Sequence, residues 1–442
     1  MMQFLNGRVT LHPGDCLEVL ASLPENSIDS AVMDPPYHLT SIVERFGREG
    51  AAEAKAGDTG AFKRASAGFM GKQWDGGDIA FQVATWEAVK RVLKPGGYLL
   101  SFASTRGFGR MSTAIEDAGF VAHPLTAYLL AHDDAQDFLS MLSTRQLDAF
   151  LRLMEHNDLG GMLGWIFGSG FPKATRLKAE GYDGWRYGGQ ALKPAIEPIY
   201  MGQKPFSEKT GTANVLLHGT GAINIDGCRI AGESTLRSAN IVGVQQFGGA
   251  NHRPQHDATP EPRQNGSETG RWPANLIHDG SEEVVDAFPE SNGQQGDVSG
   301  NEPSSLTNQV YGDFKGRPTT QKRGDTGSAA RFFYSAKADA DDRIGSKHPT
   351  VKPVDLMRYL VRLVTPPGGT VLDCFAGTGT TGEAAWREGF NAILIEREPE
   401  YQQDIAERMR LCLAGPDEKR REIIKRRGLA DDSAGPLFGG AA

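Results

Sequence analysis

The chain has 442 residues, 39% hydrophobic and 23% charged, with a net charge of −8; it can bury a large core in about two or three domains, and its acidity excludes a globally basic nucleic-acid binder, so any such role needs a local basic groove. Four scattered cysteines (Cys16, Cys228, Cys374, Cys412) form no Cys-x-x-Cys, and the ten histidines show no ligand spacing, which excludes a disulfide framework or a zinc site and points to a reducing compartment. The start lacks an apolar targeting core and no apolar run is long enough to cross a bilayer, so a cytoplasmic protein with no metal and no membrane association is expected.

In chain order, residues 8–12 read as a strand, Gly14-Asp15 as a turn, 16–23 as an amphipathic helix, and 28–33 as a buried strand that stops at Asp34-Pro35-Pro36-Tyr37. Each proline fixes its own φ and pushes the preceding residue out of the helical region, so the backbone should leave the strand stiff and extended. A carboxylate, a free carbonyl and an aromatic ring on a rigid corner suit gripping a flat heterocycle by its exocyclic amine. The competing reading is a proline turn with a surface tyrosine.

Residues 40–77 lose periodicity and carry Arg45, Arg48, Lys55, Lys63, Arg64 and Lys72, either as a solvated insertion or as a basic flap beside the Asp34 corner. A helix at 81–93, a Pro-Gly-Gly stop, a strand at 98–103, a helix at 111–119 and a strand starting at 120 follow. This alternation predicts a parallel sheet with helices on its faces. Residues 133–158 show helical spacing with a Ser143-x-x-Gln146 capping box and read as an inserted helical hairpin. Its apolar stripe packs on the core or serves a homodimer contact. Two strands at 164–168 and 195–201 flank a Gly/Lys/Tyr-rich loop and read as a hairpin at the sheet edge.

From 206 to 347 the chain is loop-rich, with a basic end (Lys315, Arg317, Lys322, Arg323, Arg331, Lys337), and reads as a separate module. Sheet signature returns with a helix at 353–364, a strand and glycine loop at 370–382, a helix to 388, a strand at 391–396 and a helix at 401–413. The charged, Ala/Gly-rich end at 416–442 is expected to be disordered. The implied divisions are 1–131, 132–159, 160–205, 206–346, 347–415 and 416–442.

The strand–loop–helix at 371–388 is the second chemical signal. Gly377, Gly379 and Gly382 allow a tight turn and close ligand approach at a helix N-terminus, and Glu396 ends the next strand, where a carboxylate can take both hydroxyls of a ribose. The same spacing suits a dinucleotide-dependent dehydrogenase, or helix–strand packing alone. Asp373 and Phe375 ahead of the loop favour a cationic or amine-bearing ligand over a pyrophosphate.

Taken together, these residues resemble the β group of amino-methylating DNA methyltransferases that use S-adenosylmethionine, over roughly residues 8–131, 160–205 and 345–413. Asp34-Pro35-Pro36-Tyr37 looks like the family's catalytic tetrapeptide and Asp373-Cys374-Phe375-Ala376-Gly377-Thr378-Gly379, continued by Thr380, like its methionine-binding loop. Glu396 resembles its ribose-binding acid, Gly14-Asp15-Cys16 the adenine-contacting strand end, and His348 to Pro353, with Thr350 and Lys352, the segment leading into the helix before the cofactor loop. Tetrapeptide first, recognition region in the middle and cofactor loop last is the β-group order.

The resemblance implies a Rossmann-like α/β fold, a mostly parallel twisted sheet with helices on both faces and a circularly permuted motif order, plus a loop-rich recognition insertion. It also implies S-adenosylmethionine as cofactor and double-stranded DNA as partner, with a flipped base whose amine is held by Asp34 and Pro35 and stacked by Tyr37. Asp at the head of the tetrapeptide resembles adenine-N6 members; Ser is commoner in cytosine-N4 members, which remain the alternative. A non-catalytic DNA-binding protein is the more remote one. Cys374 stands where the family commonly has proline. No proline precedes any cysteine, so nothing resembles the nucleophile of cytosine-C5 enzymes.

Overall fold

The computed structural model describes residues 1–37, 78–121, most of 161–231, 270–291, most of 327–346 and nearly all of 348–431, with short pieces at 141–146, 237–239 and 263–265. A ten-stranded sheet organises them. Its strands are β1 (Met2–Phe4), β2 (Val9–Pro13), β3 (Ile28–Met33), β4 (Leu93–Phe102), β5 (Met162–Ile166), β6 (Ile196–Gln203), β7 (Leu276–His278), β8 (Tyr334–Ser335), β9 (Thr370–Asp373) and β10 (Asn391–Glu396). They stand in the order β1-β2-β10-β9-β3-β4-β6-β5-β7-β8. The block β2, β10, β9, β3, β4 is parallel, and β6 lies antiparallel to both of its neighbours. Since β6 opposes both β4 and β5, β5 runs in the direction of the parallel block.

Helices are α1 (Cys16–Ser22), α2 (Val83–Val92), α3 (Phe108–Asp117), α4 (Gly211–His218), α5 (Glu282–Ala287), α6 (Val354–Val364), α7 (Thr380–Arg387), α8 (Pro399–Cys412) and α9 (Pro416–Asp431). Successive strand residues point to opposite faces, and both faces are covered. On one side Ala31, Met33 and Leu99 pack with Leu20, Trp86, Val89, Met111 and Ile115 from α1, α2 and α3. On the other, Val32, Leu100 and Val371 pack with Leu356, Leu360 and Val364 of α6 and Ala384 of α7. Both layers lie on β3, whose six residues are all buried. Helix α6 shows why: its apolar residues face the sheet, while Arg358 and Arg362 both grip Glu388 at 2.7 Å. Thr365-Pro366-Pro367 then ends it.

The α/β class and the parallel block match the expectation. Three features differ. The region 206–346 does not stand apart: β7 and β8 extend the main sheet beyond β5, and residues 211–218 form α4. Those strands are only two or three residues long, too short for periodicity to register. The strands at 164–168 and 195–201 are therefore internal to the sheet, with a small ladder of Lys173–Arg176 and Arg186–Gln190 between them. The segment 416–431 is helical: Ile423 packs on Leu411 and Ile344, and Arg426 reaches the Asp404 carboxylate at 3.0 Å. A lone buried Ile423 among ten charged residues was invisible as a period. The basic stretch at 45–72, nearly all of the hairpin at 133–158, Lys315, Arg317, Lys322 and Arg323 lie outside the described residues.

Candidate active site

Four adjacent parallel strands end together. Pro13 of β2 pairs with Glu396 of β10, Asp373 of β9 lies beside Leu394, and β3, next to β9, runs into Asp34. In an open parallel sheet the crevice at such carboxyl ends, where connections turn outward in opposite directions, receives the ligand. Every predicted chemical motif except Thr350 and Lys352 follows one of these four ends.

The corner after β3 leaves in extended backbone, with Pro35 buried and Asp34 half-buried. The Tyr37 hydroxyl donates to Asp34 Oδ1 at 2.7 Å, and Lys352 Nζ lies 2.9 Å from Asp34 Oδ2. Lys352 is also 2.9 Å from Glu197 Oε2 on β6, and it donates to the Tyr37 oxygen at 3.2 Å. Its ammonium sits over the rings of Phe102 and Tyr37, 4.8 and 5.5 Å from their centres. Burial alone would push Lys352 toward neutrality, but Asp34 and Glu197 more than offset it and hold the amine charged. Glu197 is raised by burial and by Asp34, with Lys352 pulling the other way. The resemblance puts Lys352 among the cofactor-binding residues; the structure sets its ammonium on the Asp34 carboxylate.

The loop after β9 is built on its own acid. Asp373 accepts the Phe375 N–H at 3.0 Å and the Thr381 hydroxyl at 2.6 Å, closing the turn onto the start of α7. Burial, reinforced by the charges of Asp34 and Glu396, pushes its carboxyl up to about 7. Gly377 and Gly379 occupy left-handed backbone, φ +52° and +78°. A Cβ on Gly377 would stand 3.3 Å from His348 Nε2, and one on Gly382 only 2.7 Å from Leu394, so the loop is narrow and α7 lies close on the sheet. Thr380 begins α7 and is buried, Phe375 is half-buried, and the Ala376 N–H donates to Ile395 O at 3.0 Å.

Glu396 accepts the N–H of Gly377 at 2.8 Å on one oxygen and that of Glu398 at 2.8 Å on the other. Burial pushes it up to about 7 against those bonds. Its carbonyl accepts the Gly14 N–H at 3.0 Å, which brings Gly14-Asp15 beside it. Asp15 caps α1 through Leu17 N at 2.9 Å. The Cys16 thiol packs into the core and is pushed by burial up to about 12, so it is no nucleophile. Thr350 is half-buried and its N–H donates to His348 Nδ1. Burial pushes His348 down to about 4, leaving it neutral.

Glu197, Thr381 and Arg408 escaped the motif reading. Arg408 of α8 is fully buried and holds the loop from behind, donating to Thr378 O at 2.7 Å, Asp342 O at 2.6 Å and Glu383 Oε2 at 2.7 Å. The available signal for Glu197 was an acid inside the apolar run Ala195-Ile196-Glu197-Pro198-Ile199, where an unpaired charge is rarely buried. Among the described residues, no group of three His, Cys, Asp or Glu is placed to hold a metal ion, and no helix is long and apolar enough to cross a membrane.

Residues 190–408 match the N6/N4-type DNA methylase family. A type II methyltransferase, M.BglI, of Bacillus subtilis is 48% identical over 61 residues, which is 14% of this chain and 18% of that relative. Among solved structures, the PvuII DNA methyltransferase (cytosine-N4-specific) is 14% identical, with 95% of this chain and 93% of that one covered at a TM-score of 0.40. The M1.HpyAVI–SAM complex is 12% identical, with 90% and 99% covered at a TM-score of 0.34. That family match spans both β6 and the glycine loop, the tetrapeptide corner packs against them, and over residues 190–408 the likeness is to the N6/N4 amino-methylating DNA methylases.

Proposed function

We propose that the protein transfers a methyl group from S-adenosylmethionine to the exocyclic amine of a base flipped out of double-stranded DNA, with adenine N6 as the acceptor. The observation that carries this reading is the meeting of the Asp34 corner with the Asp373 loop at neighbouring strand ends, so that an amine held by one faces a ligand held by the other.

The residues fit that ligand. Asp34, Asp373 and Glu396 converge on one cleft, where among the described residues Lys352 is the cation paired with Asp34, and burial makes the ionised forms of Asp373 and Glu396 costly. A cationic ligand offsets that cost. Glu396 keeps a lone pair on each oxygen for a ribose hydroxyl, and left-handed Gly377 lets the backbone come close. S-adenosylmethionine bound there supplies an electrophilic sulfonium methyl.

The chain's own residues handle the acceptor. An exocyclic amine is a poor nucleophile because its lone pair is delocalised into the ring. Hydrogen bonds donated by its two N–H groups to the Asp34 carboxylate and the Pro35 carbonyl hold the nitrogen and favour a tetrahedral geometry with the lone pair free; once the methyl group is transferred, the cationic nitrogen releases one of those protons through Asp34 to water. Lys352 and the Tyr37 hydroxyl each take one Asp34 oxygen, fixing its plane while leaving a lone pair for the base. The Tyr37 ring then lies beside the amine-binding point, where stacking contributes about 1–3 kcal/mol toward the cost of extruding the base. Asp rather than Ser at position 34 supports adenine.

Genomic DNA of mixed sequence, incubated with the purified protein and S-adenosylmethionine and digested to nucleosides, should yield N6-methyladenine. N4-methylcytosine instead would overturn the acceptor assignment. No methylated nucleoside, together with thermal stabilisation by NAD and not by S-adenosylmethionine, would overturn the reaction class.

A further inference from the structure

We infer that the two-stranded ribbon of Lys173–Arg176 and Arg186–Gln190 is an arm that enters the major groove of the DNA beside the active site; this rests on the DNA methyltransferase reading. The ribbon joins the end of β5 to the start of β6. Because β5 runs in the direction of the parallel block, that end lies on the edge of the sheet that carries Asp34. The start of β6 reaches the corner directly, through Glu197 on Lys352.

The ribbon's composition is that of a ligand surface. Trp185, Tyr187 and Tyr182 are 63%, 54% and 48% exposed, with Tyr182 edge-on to Trp185. Arg176 and Arg186 stand directly opposite one another in the ladder, and both are exposed. Like charges at opposed positions destabilise a ladder unless an anion lies between or beside them. Neither guanidinium meets a carboxylate among the described residues; Arg186 donates only to the neighbouring Trp185 carbonyl. Residues 173–190 hold four basic and two acidic side chains, net +2, in a chain of net −8.

Alternation places the two arginines on one face of the ribbon and Tyr187 on the other, and Trp185, just ahead of the second strand, is exposed beside Tyr182. A surface that docks flat uses one face. Here both are exposed, one cationic and one aromatic, which suits an element flanked by phosphates and base edges. The major groove is the duplex groove wide enough for a two-stranded ribbon.

The test is equilibrium binding of the full chain, with S-adenosylhomocysteine present, to a fluorescent duplex across a salt series. R176Q/R186Q should bind at least about tenfold more weakly at low salt, with the slope of log K against log[salt] shallower by about 1.8, as expected for two lost phosphate contacts. W185A/Y187A should weaken binding with the slope unchanged. Both should keep wild-type affinity for S-adenosylmethionine, which shows the fold and the cofactor cleft intact. Wild-type affinity and slope in R176Q/R186Q, while the enzyme still methylates DNA, would overturn the arm. A wild-type chain that neither binds nor methylates any duplex would instead overturn the functional reading beneath it.

Discussion

Lys352 touches Asp34, Glu197 and Tyr37 at once, and its charge is what keeps two carboxylates compatible in a buried corner. Replacing it by Met leaves Glu197 buried without its cation, so Glu197 takes up a proton and Asp34 loses its orientation. Lys352→Met should lower kcat about 10²-fold, the usual scale for a reacting group displaced by about an ångström. S-adenosylmethionine affinity should change little, and an unchanged kcat would remove Lys352 from the corner. Asp34→Ala should abolish methyl transfer and leave cofactor binding intact, since no Asp34 atom bonds the glycine loop. Turnover at the wild-type rate by that variant would end the assignment.

The glycine loop is held by neighbouring elements as much as by its own glycines. Arg408 links α8 to the loop at Thr378 and to Glu383 of α7, and burial of Glu383 is tolerated because Arg408, Lys419 and Arg387 hold its pKa below the usual carboxylate value. Arg408→Met leaves that carboxylate with weaker partners and should destabilise the protein by about 3–5 kcal/mol in urea unfolding. Looser Thr378 should also weaken S-adenosylmethionine binding; full stability would show that Arg387 and Lys419 suffice. The strands, glycine loop and tetrapeptide were legible because each is local: a period, a turn residue or a proline pair. Arg408 was not, because its three partners lie 25 to 66 residues away and nothing around it in sequence marks a buried charge.

Across the whole molecule, pH acts on opposed sets of acids. Asp373 and Glu396 sit near 7, above their ordinary values, so their contribution to stability is greatest below about pH 4 and is lost as pH rises through 7. Glu383 and Glu388 are held low by their arginines, so their contribution is present above about pH 4.5 and is lost as pH falls through their folded values. The ligand-free protein should therefore melt highest near about pH 5 and less well at pH 8. Ligand binding runs the other way. A cation and two ribose hydroxyls need ionised carboxylates, so S-adenosylmethionine affinity should rise from pH 5.5 to 8, with most of the change around pH 7. Calorimetric titration at the two ends checks it; pH-independent affinity would mean that Glu396 and Asp373 do not meet the ligand.

By itself the sequence determined the α/β class, the Asp34 corner, the glycine loop and their permuted order, because each is written in consecutive residues whose local conformation is nearly forced. Tertiary structure alone decided what those motifs meet. It placed β3 next to β9, so two signals more than 300 residues apart became one cleft. It set Lys352 on the Asp34 carboxylate, and brought in Glu197 from a strand with no motif. It also joined short pieces of the loop-rich region to the sheet. Those outcomes depend on strand order and on where long side chains end, which are properties of contacts between distant segments and leave no period in the chain.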